Sequence, residues 1–99
     1  MPRYLNPTPP ERLCDASGRP YFLWDVDMTL ETFLERLDDP DEDVAAYFLG
    51  KLMRQAKPDD VLQWVKLPRI AAAWDKVEPY LGQSRDLWRW LIAAAPHAA

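Results

Sequence analysis

Two aspartates, Asp25 and Asp27, stand two residues apart directly after the apolar run Tyr21-Phe22-Leu23-Trp24. A carboxylate delivered at the end of an extended apolar segment can take up a phosphoryl group, and a second one nearby can handle the proton. The same pair could offer oxygen ligands to a hard cation. Both chemistries need partners that the sequence does not bring. Phosphoryl transfer of this kind needs a parallel sheet, a separate lysine and later acids for magnesium, whereas the segments that follow read as helices. Asp38 to Asp43 places five acids in six positions but lacks the glycine and the terminal glutamate of a calcium loop. With Cys14 the single cysteine and His97 the single histidine, no zinc ligand set forms either. Asp25 and Asp27 therefore read as turn and cap residues before a helix. No metal and no cofactor are expected, and the chain is expected not to be an enzyme.

What remains is recognition, and charge distribution bears on it. The net charge of −4 argues against general nucleic-acid binding. Residues 25–43 carry nine acids and one base, Arg36, whereas residues 44–99 carry eight bases and five acids. Such polarity can steer a partner of opposite charge. Asp25, Asp27, Asp38, Asp39, Asp41 and Asp43 are the acidic candidates for partner contact. Five tryptophans supply the aromatic ones, since Trp is enriched where interfaces bind most tightly.

These residues must be positioned by a small domain. Residues 1–20 hold half of the ten prolines and read as a flexible arm. Residues 21–95 read as one helical domain and 96–99 as a tail. Residues 21–24 enter the domain extended. Thr29 caps a helix with Leu30, Phe33, Leu34 and Leu37 on one face. Asp39, Pro40 and Glu42 give the pattern of a second helix start, with Asp39 as cap. From Val44 to Ala56 a broad apolar arc marks a central helix, with Gly50, Lys51 and Arg54 on its outer side. Pro58 and Pro68 open two shorter helices, the second running to Val77. Ser84 caps a last one with the stripe Leu87, Trp90, Leu91 and Ala94, which leaves Trp88 off the stripe as a surface contact. The expected fold is all-α, a compact bundle of about five short helices with a Pro-rich arm. No apolar run approaches the roughly 20 residues that span a bilayer, Met1 to Pro10 lacks a signal peptide's apolar run, and a lone cysteine fits a cytoplasmic location.

The two helices between Pro58 and Val77, joined by Lys66-Leu67-Pro68, have the size of a helix-turn-helix. The second presents Arg69, Asp75 and Lys76 around Ala71 to Ala73, a thin set of base readers, with Arg85 and Arg89 as further phosphate contacts. A small DNA-binding regulator is therefore the second reading.

The first reading comes from a resemblance. Tyr21-Phe22-Leu23-Trp24-Asp25-Val26-Asp27, the later Asp-Asp-Val-Leu-Gln-Trp segment (59–64) and the Trp-rich last helix resemble a family of small bacterial helical proteins. That family opens with a Phe-Trp-Asp-x-Asp-like motif and is encoded beside nucleotidyltransferase-type toxins of abortive-infection systems. Here Leu23 intervenes between Phe22 and Trp24. The resemblance implies an antitoxin of a toxin–antitoxin system, whose partner is a nucleotidyltransferase toxin, with Trp24 and Trp88 beside the acids as contact residues. Self-association through exposed tryptophans is compatible with both readings.

Overall fold

The computed structural model describes residues 6–94, and the first five residues of the arm and the tail at 96–99 lie outside them. The fold is all-α. Helix α1 (Pro10–Leu13) precedes α2 (Leu30–Leu37), α3 (Glu42–Gln55), α4 (Pro58–Trp64), α5 (Leu67–Ala72) and α6 (Trp74–Val77). Two 3-10 turns, Glu78–Tyr80 and Gly82–Ser84, lead into α7 (Arg85–Ala94).

Thr29 caps α2 as expected, its hydroxyl accepting from the Thr32 amide at 3.2 Å and its helix burying Phe33 and Leu37. The cap of α3 lies two residues later than expected. Asp41 accepts from the amides of Asp43 and Val44, while Asp39 accepts from Asp41 in the turn before. Either acid can cap. Using Asp41 leaves Pro40 in the turn, where its missing N–H costs nothing.

Helix α3 is the centre of the bundle, packed against α2, α4, α6 and both 3-10 turns. Its outer side is not where the apolar pattern put it. Gly50 and Lys51 are both buried. A Cβ on Gly50 would lie 2.7 Å from the Cβ of Tyr80, so the absence of a side chain is what admits the 3-10 turn. The core runs from there through Leu52 and Met53 to an edge-to-face chain of aromatics, Phe22 on Phe33 at 5.4 Å and Phe33 on Phe48 at 5.8 Å.

The C-terminal part departs further from the sequence reading. The helix expected from Pro68 to Val77 breaks at Ala73, whose ψ of 7° leaves the helical range. Ser84 does not cap α7. Its hydroxyl donates backwards to the Leu81 carbonyl at 2.7 Å and closes the second 3-10 turn. Trp88, expected at the surface, is fully buried, whereas Leu87 and Trp90 from the expected buried stripe are exposed. The cause lies at the end of α3. A helix leaves its last carbonyls without intrahelical donors. The amide that would continue the ladder to Met53 is that of Lys57, and it donates to the Tyr21 hydroxyl instead. The Met53 carbonyl takes its hydrogen bond from the Trp88 indole at 2.9 Å. Only a side chain with a long reach and an N–H at its tip fills that position, and this turns α7 so that Trp88 faces inward.

The arm is also more ordered than its prolines predict. Residues 6–20 carry α1, a β-bridge between Cys14 and Pro20, and a tight turn in which Asp15 gathers Ser17 and Arg19. Gly18, at φ 83°, takes the left-handed conformation this turn requires, and its carbonyl accepts the Leu30 amide at the start of α2.

Candidate partner-binding site

Trp24 is 65 % exposed between neighbours that are fixed. Phe22 and Leu23, immediately before it, are wholly buried. The Leu23 amide donates to the Pro20 carbonyl at 3.0 Å, and the Gln55 amide group donates to the Phe22 carbonyl at 2.7 Å. Immediately after it, Asp25 meets the buried Lys51 ammonium at 2.6 Å and Gln55 at 3.3 Å. Lys51 is therefore buried because Asp25 reaches it, and the Lys51 hydrogen bond is the main reason the Asp25 carboxyl is held below its ordinary pKa. The turn at residues 20–26 is thus clamped onto the C-terminal half of α3, and Trp24 is the most exposed large side chain of that turn. Beside Trp24 runs a groove of about 310 Å³ whose other wall is the arm, at Arg12, Leu13 and Cys14. Burial, with Asp15 nearby, pushes the Cys14 thiol up.

Asp25 sits on a turn and Asp27 just beyond it, with no strand among the described residues to present them. Asp27 is exposed. The Asp25 carboxylate is instead taken up by Lys51 and Gln55.

The remaining acidic candidates lie elsewhere. Asp38, Asp39, Asp41 and Asp43 stand beyond the far end of α2, which is about 12 Å long. Their carboxylates are largely engaged. Asp38 pairs with Arg69 at 3.2 Å, Asp39 with Arg36 at 3.6 Å and Asp43 with Lys76 at 2.9 Å. Asp43 is what raises Lys76 above the ordinary lysine pKa. A groove of about 470 Å³ lies between this turn and α5–α6, floored by alanines and Leu49. The acidic candidates therefore form two separate groups, and Trp88, buried on α7, joins neither.

Two short helices do stand at 58–64 and 67–72, yet the cations a reading helix would offer are in use. Arg69 also donates to the Leu37 carbonyl, and Arg89 pairs with Glu78 at 2.8 Å.

Three residues of the site escaped the sequence reading. Lys51 and Gln55, one turn apart on α3, clamp the Trp24 turn. Asp60 is 1 % exposed and accepts from the Thr8 amide, the Thr8 hydroxyl and the Tyr21 hydroxyl at 2.7, 2.6 and 2.6 Å. Burial alone would raise its pKa, but these hydrogen bonds outweigh burial and hold it below the ordinary value. Tyr21 responds in the opposite sense: burial first, then the Asp60 carboxylate, push its phenol up to about 12. Adjacent Asp59-Asp60 after Pro58 signals only a helix start.

No family model matches the chain, and neither the curated proteins nor the solved structures contain a match to it.

Proposed function

We propose that the protein is a non-enzymatic protein-binding module that acts as an antitoxin, neutralising a nucleotidyltransferase-type toxin. The observation that carries the binding part is the clamped presentation of Trp24. An exposed indole on a mobile loop pays an ordering cost when it binds. One whose backbone is held between two buried residues and an ion pair leaves only the side chain to be ordered. Rigid, exposed tryptophans ringed by polar groups are the usual anchors of tight interfaces. The identity of the partner rests on the resemblance of the Phe22–Asp27 segment. The exposed acids Asp27, Asp38 and Asp43 add a negative field suited to a nucleotide-binding cleft, which must be positive to hold phosphates. DNA binding draws no comparable support, because the chain carries a net charge of −4.

The test is a pull-down from the source organism's lysate with the tagged full-length chain and with Trp24→Ala. The native chain is expected to retain one stoichiometric nucleotidyltransferase, and Trp24→Ala to weaken that retention by roughly a hundredfold, the scale of a hot-spot residue. Absence of a nucleotidyltransferase would remove the antitoxin reading. Retention that ignores Trp24→Ala would remove Trp24 as the anchor.

A further inference from the structure

We infer that residues 6–20 form a strap latched to the domain through the carboxylate of Asp60, and that only the latched strap completes the groove beside Trp24. The consequence for binding rests on the Trp24 reading above, but the latch itself does not.

The strap is held by polar contacts more than by apolar ones. Helix α1 buries no residue, and between Asn6 and Arg19 no side chain is fully buried. Apolar burial, the usual source of cohesion with a core, therefore contributes little here. Asp60 supplies what burial does not. A carboxylate removed from water must be compensated by donors, and the three that reach it are neutral, two of them from Thr8. Hydrogen bonds to an ionised acceptor are about twice as strong as neutral ones. The neighbouring Asp59 carboxylate adds one more tie, to the Asn6 amide at 2.9 Å.

The other end of the strap is anchored differently. The Asp15–Arg19 turn is closed on itself, and Gly18 is bonded to Leu30. Loss of the Thr8 contacts would therefore leave Pro7 to Arg12 held only by the Asn6–Asp59 tie at one end, with Leu13, whose carbonyl accepts the Tyr21 amide, and the turn still in place. The released part includes Pro10 to Arg12 of α1, and Glu11 and Arg12 belong with Leu13 and Cys14 to the wall that faces Trp24 across the groove. A segment with few buried apolar contacts, tied at one end by a few hydrogen bonds, opens below the free energy of global unfolding.

The test measures trypsin cleavage at Arg12–Leu13 in the full-length native chain, with products assigned by mass, against Thr8→Val, Thr8→Ser and Asp60→Asn. Proteolysis of a locally opened segment reports the population of the open form. Thr8→Val keeps the shape and the amide but loses the hydroxyl, so cleavage should accelerate about tenfold, the equivalent of one charge-assisted hydrogen bond. Thr8→Ser should behave as native. Thr8→Val is also expected to keep the native helical circular dichroism and a cooperative melt lowered by only about 4–8 °C, so it stays folded at the assay temperature and separates strap opening from unfolding should Asp60→Asn fail to fold. An unchanged rate in Thr8→Val would overturn the latch. So would cleavage of the native chain that tracks global unfolding across a urea series. Failure to find a nucleotidyltransferase partner would leave the cleavage result intact, so the two readings fail separately.

Discussion

Asp25 and Asp60 accept hydrogen bonds from Lys51, Gln55, Thr8 and Tyr21, and each ties a distant stretch of chain to the bundle. Asp38, in the turn after α2, and Asp43, in the first turn of α3, face single cations that are themselves about half exposed. The energetics of the two groups differ because their surroundings differ. Around Asp60 water is excluded, so every donor counts and every loss strands a polar atom. Around Asp38 and Asp43 water competes with each cation, and ion pairs of that kind contribute little to stability. One acidic group therefore holds the fold, and the other is free to set the field a partner meets.

The sharpest way to break that contrast is Asp60→Ala. It removes an acceptor shared by three donors in a buried site and should cost about 2–4 kcal/mol in urea denaturation at neutral pH. The pH dependence has a defined sign. The folded-state pKa of Asp60 lies below its ordinary value of 3.8, so its contribution is present above that value and is lost as pH falls through the folded pKa. The gap between the native chain and Asp60→Ala should thus be constant from pH 7 to 5 and close below pH 3.8. A gap that persists unchanged to pH 2 would mean that packing, not the charge, holds the strap.

The second variant, Asp25→Ala, should cost less, about 1–2 kcal/mol. It strands the buried Lys51 ammonium, but the site opens to solvent on the Asp25 side, where the carboxylate is 42 % exposed. Replacing Lys51 by Met in the same chain should recover most of the loss, since a buried charge without its partner is worse than an apolar side chain of similar volume. A double variant no more stable than Asp25→Ala would show that Lys51 contributes through its packing alone.

The sequence disclosed the helical elements because their signals are local. Thr29, Pro58 and the i, i+3, i+4 pattern of α2 and α3 need no knowledge of the rest of the chain. It disclosed Trp24 and its acidic neighbours as candidates for the same reason. What it hid were contacts that span the chain. The Met53 carbonyl lacks a backbone donor because the chain turns extended at Ala56 and the Lys57 amide goes to Tyr21, and the Trp88 indole takes that place. Lys51 sits at an outward position of an apolar pattern until Asp25 covers it. Thr8 reaches an acid 52 residues away. In a domain this small, polar side chains settle where apolar periodicity leaves a choice, and periodicity cannot report them.

The smallest effect expected on stability should also be the most informative about partner binding. Asp38→Asn combined with Asp43→Asn removes two exposed charges whose cations stay solvated, so the urea midpoint should not move measurably. The charges still add to the long-range field. Association with a partner recovered in the pull-down should slow by several-fold at low salt, with little change in the dissociation rate, because steering acts on encounter. At about 1 M salt, where the screening length falls to roughly 3 Å, native and variant rates should converge. Equal association rates at low salt would confine recognition to the Trp24 side. A faster dissociation would instead place the acidic turn inside the interface.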